Sequence, residues 1–231
     1  MREIVLDTET TGFEPSEGHR IVEIGAVELM RHVPTGRTFH EYINPQRDMP
    51  EEAFKVHGLG NEFLADKPLF ADVADAFLDF VGDAKMVIHN AAFDMKFLNA
   101  ELGWANKRQL PMEQAIDTLA MARSKYSGAA NTLDALCRRF GIDNSSRTLH
   151  GALLDSEILA EVYLELIGGR QPDLVLTQTS RSGDQGATAW KPEPRPSPLP
   201  SRLTKEEAAA HRAFVDTLGD DPLWKKFLDQ A

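Results

Sequence analysis

Two acidic side chains at the end of the first apolar segment are the residues best suited to chemistry. The apolar run at 4–6 leads directly into Asp7-Thr8-Glu9. On a β-strand, Asp7 and Glu9 project from the same face, about 7 Å apart. Two carboxylates at that distance repel each other unless a cation lies between them, and hard divalent cations such as Mg²⁺ bind oxygen ligands. The pair therefore predicts a metal site, with a solvated acidic strand end as the alternative.

Asn90 and Asp94 form a second candidate set, after a short apolar strand at 86–89 and at the start of the next helix. Residues four apart share a helix face, and Asn90 is also suited to cap the helix. The helix dipole favours an aspartate in the first turn, which alone would account for Asp94. Its place directly after a strand still favours a functional role, because sites of α/β proteins gather at strand–helix junctions.

His150 and Asp155 form the third set, in the segment His150-Gly-Ala-Leu-Leu-Asp155. On one continuous helix, five residues would separate the two side chains by about 140°. They converge only if His150 lies in the loop before the helix and Asp155 lies in its first turns, and Gly151 allows that break. An imidazole changes its charge near neutral pH, so His150 suits a general base.

A mixed set of strands and helices must position these candidates. Segments 21–29 and 38–43 read as strands, with a turn at 34–36 between them, so that with the first strand they predict an antiparallel meander. We therefore expect an α/β domain over 1–170, with a mixed sheet covered by helices. The remaining predicted elements are the strand at 86–89 and helices over 68–83, 91–102, 132–140 and 152–167.

The overall charge limits how the chain can contact nucleic acid. Its 231 residues carry a formal net charge of −11, whereas proteins that bind duplex phosphates usually present a basic face. An acidic chain can still act on nucleic acid if metal ions neutralise its site and contact is limited to a strand end. Weak binding of that kind predicts a partner that keeps the protein on its substrate.

Cysteine content and hydropathy predict a cytoplasmic protein. The single cysteine, Cys137, excludes an intrachain disulfide and lies on a helical apolar stripe, which predicts a buried small side chain in a reducing compartment. The first residues are strand-like and lack the basic region of a signal peptide. No stretch approaches the roughly 18 apolar residues that a membrane span needs. We therefore expect no membrane partner.

The composition changes after residue 170. Residues 171–202 contain six of the chain's thirteen prolines and predict an extended, flexible linker. A capping box at Thr204 and Glu207 then opens a helix, so 203–231 is a predicted helical tail. Such a tail either folds back on the domain or docks on a partner, and the proline linker favours docking. Its apolar anchors are Phe214, Val215, Leu218, Leu223, Trp224, Phe227 and Leu228.

The three sets of residues together resemble the DEDD superfamily of 3′–5′ exonucleases, in the subgroup whose third motif carries histidine. The resemblance covers 1–170. The stretch Phe54-x-Val-His-Gly-Leu59 and the wording around the first motif are most similar to the proofreading ε subunits of bacterial DNA polymerase III. The matching motifs are Asp7-x-Glu9, Asn90-x-x-x-Asp94 and His150-x-Ala152-x-x-Asp155.

The resemblance implies a fold, an activity and a cofactor. The fold would be a ribonuclease H-like mixed sheet, with three antiparallel strands and further parallel strands flanked by helices. The activity would be removal of mismatched nucleotides from a DNA 3′ end, with release of 5′-dNMPs. His150 would act as the general base, and Mg²⁺ or Mn²⁺, as two divalent cations, would bind Asp7, Glu9, Asp94 and Asp155.

The resemblance also implies contacts and partners. The substrate would be a single-stranded or frayed DNA 3′ end, and the polymerase III α subunit would bind through 203–231, with the sliding clamp as a further candidate. Phe93 suits stacking on a base, and a core position on its helix is the alternative. The implied substrate contacts are Asp7, Thr8, Glu9, Thr10, Glu52, His57, Asn90, Phe93 and Asp155.

Two rival functions share the same residues. An RNA-trimming exonuclease of the superfamily would use the same catalytic motifs, because discrimination of the 2′-hydroxyl depends on pocket shape. A non-catalytic replisome scaffold would keep the fold alone, and intact carboxylates at all four positions count against it. The linker and the tail favour a proofreader that is tethered to a polymerase in the bacterial cytoplasm.

Overall fold

The computed structural model describes residues 1–145, 147, 149–169 and 204–218. The chain divides into two units, Met1–Leu176 and Thr177–Ala231. The predicted linker at 171–202 lies outside the described residues, as do residues 219–231 of the predicted tail.

Unit 1 contains a five-stranded mixed sheet with the order β3-β2-β1-β4-β5. The first three strands form an antiparallel meander, β4 lies parallel to β1, and β5 lies parallel to β4. The predicted mixed sheet is therefore confirmed. The strands are β1 (Arg2–Thr10), β2 (Ile21–Met30), β3 (Val33–Tyr42), β4 (Lys85–Ile88) and β5 (Ala115–Asp117).

Helices flank this sheet, and their ends follow ordinary capping rules. The side chain of Thr132 accepts the N–H of Ala135 at the start of α6, and left-handed Gly141 ends that helix. Cys137 is fully buried on it, as predicted. The helices described in unit 1 are α1 (Glu51–His57), α2 (Asn61–Leu64), α3 (Phe70–Val81), α4 (Ala91–Trp104), α5 (Thr118–Lys125), α6 (Leu133–Phe140) and α7 (Ala152–Leu166).

The sheet separates two apolar clusters, and β1 contributes to both. Ile4 and Leu6 belong to the cluster with α3 and α4, whereas Val5 belongs to the cluster with α6 and α7. Because side chains alternate along a strand, odd-numbered residues of β1 face α7 and even-numbered residues face α4. This alternation decides where each acidic side chain at the end of β1 points.

The β2–β3 hairpin turns earlier than the sequence indicates. Pro34 and Gly36 favour a turn at 34–36, but the structure begins β3 at Val33. The two loop residues are Arg31 and His32, with φ of 54° and 65°, and two positive φ angles suit a two-residue hairpin loop. The predicted turn is wrong because β3 is an edge strand, where proline is tolerated.

Unit 2 is described over a single helix, α8 (Lys205–Asp216). The hydroxyl of Thr204 accepts the N–H of Glu207 at 3.2 Å, and the Glu207 carboxylate accepts the N–H of Thr204 at 2.9 Å. This is the predicted capping box. Phe214 and Leu218 are exposed on this segment. Throughout the described part of the chain, no helix combines the length and apolarity that crossing a membrane requires.

Candidate active site

The end of β1 carries the acidic residues that open the site. Asp7 and Glu9 share the α7 face of the strand with Val5, and both line a cleft of about 910 Å³. Thr8 projects to the other face, where its hydroxyl donates to Oδ1 of Asp94 at 2.7 Å. Asp94 is buried in the first turn of α4, which follows β4. One strand end therefore presents two carboxylates and holds a third through Thr8.

Helix α7 approaches the sheet closely because residue 25 has no side chain. Gly25 pairs with Asp7 across β2 and β1, and a Cβ on Gly25 would lie 2.1 Å from the backbone nitrogen of Leu153. The hydroxyl of Ser156 donates to the Gly25 carbonyl at 2.9 Å. These contacts fix the first turns of α7, and Asp155 within them, against the face that carries Asp7.

His150 and Asp155 converge in the way that their spacing predicts. Helix α7 begins at Ala152 with Gly151 as its N-cap, so His150 lies in the preceding loop and Asp155 in the first turn. Nδ1 of His150 lies 3.3 Å from Oδ2 of Asp155. Potential ligand atoms of Glu9, His150 and Asp155 all lie within 4.8 Å of one another. The imidazole is half exposed, so water can reach it.

Burial and mutual repulsion raise the pKa values of three carboxyl groups here. For Asp7, desolvation and the charges of Asp94, Glu9 and Asp155 hold the pKa well above its usual range. Desolvation and neighbouring carboxylates raise the pKa of Glu9 to about 8. Burial raises the pKa of Asp94 to about 7, although the hydrogen bond from Thr8 acts in the opposite direction. Oxygen ligands held together at such a cost fit a divalent cation, which would replace the bound protons.

Asp155 differs from the other carboxyl groups because a guanidinium lies against it. Arg147 donates from Nε to Oδ1 of Asp155 at 2.5 Å and from Nη2 to Oδ2 at 2.7 Å. Burial by itself raises the pKa of Asp155, but hydrogen bonds from His150 and Arg147 bring it below its usual value. Motif reasoning missed Arg147, for which the sequence signal is an arginine three residues before His150.

Glu23 is a second neighbour that sequence reasoning missed. It pairs directly with Glu9 across β2 and β1, is buried, and its charge contributes to the raised pKa of Glu9. Nε2 of His40 lies 2.7 Å from Oε1 of Glu23. Only the strand register brings Glu23 beside Glu9, and the apolar run around Glu23 gives no sign of that register.

The cleft brings together most of the residues predicted for the site. Phe93 is partly buried in its wall and packs against Phe97 with ring centroids 5.0 Å apart, a position compatible with both stacking and a core role. Thr10, Glu52, His57 and Asn90 do not line this cleft. The predicted residues that do are Asp7, Thr8, Glu9, Phe93, Asp94, His150 and Asp155.

Thr10 and Asn90 take part in local backbone structure. The hydroxyl of Thr10 donates to the Gly12 carbonyl at 2.7 Å. Asn90 has a φ of 70° and its side chain makes no cap hydrogen bond, so the expected cap is wrong, because a capping side chain requires extended backbone. The N–H of Asn90 instead donates to Asp117 at 3.2 Å. Asp117 also accepts the N–H of Leu119 at 2.9 Å and thereby caps α5.

Glu52 and His57 lie on α1, which is attached to the loop that carries His150. Glu52 is exposed, whereas His57 is buried. Desolvation lowers the pKa of His57, and its Nδ1 accepts the N–H of Leu59 at 3.1 Å. The backbone N–H of His150 donates to the carbonyl of Val56 at 3.1 Å. Helix α1 and the His150 loop are thus joined by a main-chain hydrogen bond.

This fold and site define an exonuclease. The RNase_T family model, described as "Exonuclease", matches residues 4–163. Exonuclease X in complex with 5′ overhanging duplex DNA superposes with a TM-score of 0.57 and 25% identity, covering 71% of this chain and 90% of that one. The nuclease domain of 3′hExo, a DEDDh family member bound to rAMP, gives a TM-score of 0.63 and 20% identity, covering 72% and 91%. The latter supports the fold alone.

Similarity to a relative of nearly the same length identifies the family within the exonucleases. The DNA polymerase III subunit epsilon of Rickettsia felis is 51% identical over 233 residues, covering 94% of this chain and 97% of that protein. The chain belongs to the family of DNA polymerase III ε subunits, the 3′–5′ proofreading exonucleases. It is a nuclease that acts on DNA and depends on divalent metal. This assignment favours proofreading over the RNA-trimming and scaffold alternatives.

Proposed function

We propose that this chain removes mismatched nucleotides from a single-stranded or frayed DNA 3′ end as the proofreading subunit of the replicative polymerase. The observation that carries the proposal is the convergence of Glu9, His150 and Asp155, whose potential ligand atoms lie within 4.8 Å of one another. Asp7 and Asp94 complete the acidic set from β1 and α4. Three separate elements thus supply one acidic site, and such a site suits the divalent cations that assist hydrolysis of a charged phosphodiester.

Asp7, Glu9, Asp94 and Asp155 would hold two divalent cations, Mg²⁺ or Mn²⁺. The raised pKa values of Asp7, Glu9 and Asp94 support this role, because burial, and for Asp7 and Glu9 also the neighbouring carboxylates, make these groups costly to ionise without a bound cation. When bound, such cations activate water and stabilise the leaving oxygen. Asp94 is held by Thr8 on the far side of β1 and would act through water.

His150 would accept the proton of the attacking water. Its loop position leaves the ring half exposed beside Asp155. The water oxygen bonds to phosphorus, and the bond from phosphorus to the 3′ oxygen breaks. The 3′ oxygen takes a proton from solvent and remains on the shortened strand as a hydroxyl. The phosphate leaves with the released nucleotide, which is a 5′-monophosphate.

The terminal nucleotide would contact residues around the cleft. Phe93 would stack on its base from the wall of the cleft. Glu52 and His57 would contact it from α1, which is attached to the His150 loop. Thr8, Thr10 and Asn90 would contribute where strand β1 and helix α4 meet.

We further propose that residues 1–170 form the exonuclease domain, 171–202 a flexible linker, and 203–231 a tail that docks on the polymerase α subunit. The exposed side chains of Phe214 and Leu218 on the α8 segment support docking. The sliding clamp is a further candidate partner, and the bacterial cytoplasm the expected location. The net charge of −11 also supports a tether, because the chain has little electrostatic affinity for DNA.

The experiment that tests the proposal compares three substrates with the full chain. We expect a mismatched DNA 3′ end to be shortened faster than a matched one in the presence of Mg²⁺ or Mn²⁺, and EDTA to stop both reactions. An oligoribonucleotide of the same sequence is the third substrate, and its preferential degradation would support RNA trimming instead. No hydrolysis of any of the three substrates would support the scaffold.

A further inference from the structure

Arg147 lines the cleft and contacts both Asp155 and His150. Its guanidinium donates hydrogen bonds to both carboxylate oxygens of Asp155, at 2.5 and 2.7 Å. Its Nη2 also lies 2.7 Å from Nδ1 of His150. The side chain is only 8% exposed. A buried arginine on the very oxygens assigned to a cation is therefore part of the site and not a surface ion pair.

The position of Arg147 conflicts with that of a divalent cation. A cation on Asp155 and a guanidinium on the same carboxylate would repel each other at close range, where burial weakens screening. The two positive groups therefore compete for Asp155.

Arg147 also has a second carboxylate to which it can remain bound. Its Nη1 donates to Oδ1 of Asp134 on α6 at 2.8 Å. Asp134 is about half exposed and lies outside the acidic set of the site. The side chain of Asn144 donates to the same oxygen of Asp134 at 2.9 Å and so helps to position it. Arg147 can therefore leave Asp155 without losing every ionic partner.

We propose that Arg147 is a positioning residue that holds Asp155 and His150 together in the cation-free site, and that a divalent cation bound at Asp155 displaces its guanidinium towards Asp134. The inference rests on the proposed role of Asp155 as a cation ligand. Arg147 then sets how tightly the site takes up metal before DNA arrives.

The first test measures Mn²⁺ binding to the full chain without DNA, by calorimetry at one fixed pH. Arg147→Gln removes the competitor, so we expect its affinity for Mn²⁺ to rise roughly tenfold or more. Asp134→Asn removes the alternative partner, so its affinity should fall. Arg147→Lys keeps the charge and should stay close to the parent. Unchanged or weaker binding by Arg147→Gln, or tighter binding by Asp134→Asn, would overturn the inference.

The second test separates competition from simple loss of stability. In EDTA, Arg147→Gln should melt at a lower temperature than the parent, because Asp155 loses its counter-ion. In saturating Mn²⁺, the difference should disappear, since the cation then neutralises the same carboxylate. A purely structural arginine would lower the melting temperature equally in both conditions, and that outcome contradicts displacement.

Asp155→Asn distinguishes the failure of this inference from failure of the proposed site. Weaker Mn²⁺ binding in Asp155→Asn, together with no gain in Arg147→Gln, would reject displacement and leave Asp155 as a ligand. Unchanged Mn²⁺ binding in Asp155→Asn would reject both the ligand role and the displacement that depends on it.

Discussion

The strand side and the helix side of the cleft carry the same kind of side chain in opposite electrostatic states. On the strand side, Asp7 and Glu9 have raised pKa values because they are desolvated among other carboxylates. On the helix side, Asp155 is buried as well, yet its pKa is lowered because Arg147 and His150 bond to it. Burial alone therefore does not decide the charge of a carboxyl here.

The contrast indicates what each side contributes to the site. On the strand side, burial and mutual repulsion oppose ionisation of the carboxyl groups, and a cation bound among them would remove that cost. The helix side keeps its aspartate ionised and oriented before any cation binds.

On the strand side, removal of Asp7 should cause the largest loss of hydrolysis. Asp7→Ala should reduce metal-dependent hydrolysis of a DNA 3′ end to the detection limit, because the central carboxylate of the acidic set is lost. The fold should persist, since the substitution relieves repulsion. Steady-state hydrolysis and thermal melting of the same sample measure the two effects. Retained hydrolysis would contradict the metal site.

On the helix side, loss of His150, the proposed general base, should have the next largest effect. His150→Ala should lower kcat roughly 10²–10⁴-fold while folding and Mn²⁺ binding stay close to the parent. Single-turnover hydrolysis measures this effect separately from product release. Activity near that of the parent would remove His150 from the proton transfer.

The distance between the two sides can be changed at Gly25. A Cβ there would overlap the backbone of α7 at 2.1 Å, so Gly25→Ala should push Asp155 away from Asp7. We expect kcat to fall by about 100-fold, as for a displacement of about 1 Å in a catalytic group. Gly103→Ala on α4 is the control, because a Cβ at that exposed position would meet only the end of the Gln109 side chain, at 3.4 Å. Full activity of Gly25→Ala would show that α7 adjusts without cost.

The raised pKa of Glu9 on the strand side should also appear as a pH dependence of stability. The folded pKa of Glu9 is about 8, above the usual value of 4.5. Between those values the folded state binds more protons than the unfolded state, so its contribution to the free energy of unfolding is present below pH 4.5 and decreases as the pH rises towards 8. In EDTA, the melting temperature should therefore fall between pH 5 and pH 8.

A fall of several degrees is expected, because 1 kcal/mol corresponds to roughly 2–4 °C at this chain length. Glu9→Gln should show a smaller fall, since it cannot titrate. Equal pH dependence in both proteins would place the effect elsewhere in the molecule.

The smallest effect on catalysis is expected from changes at α8 and the turn that follows it. Replacement of both Phe214 and Leu218 by glutamate should leave hydrolysis of a short DNA 3′ end unchanged and weaken binding to the polymerase about tenfold or more, because exposed apolar anchors dominate such contacts. Surface plasmon resonance with the α subunit measures the loss. Unchanged binding would place the docking surface elsewhere.

The sequence alone predicted those elements whose apolar residues form a run or recur at a regular spacing. Apolar runs predicted β1 and β2, and apolar residues at helical spacing predicted α3 and α6. The break at Gly151 predicted how His150 meets Asp155. Helices α1, α2 and α5 and strand β5 were not predicted, because short elements carry few periodic positions and depend on packing. Arg147 and Glu23 could not be predicted as neighbours of the site, because only the loop path and the strand register bring them there.

The hydrogen bond between His150 and Val56 has a consequence for selectivity. His150, the proposed proton acceptor, and the wall proposed to contact the terminal nucleotide would then shift together, because the main chain of α1 bonds to the loop that carries the imidazole. A nucleotide that seats poorly against α1 would therefore lose rate as well as affinity. Discrimination between correct and incorrect 3′ ends would therefore appear in kcat as well as in KM. A poorly seated 3′ end would bind in the cleft and dissociate without being hydrolysed.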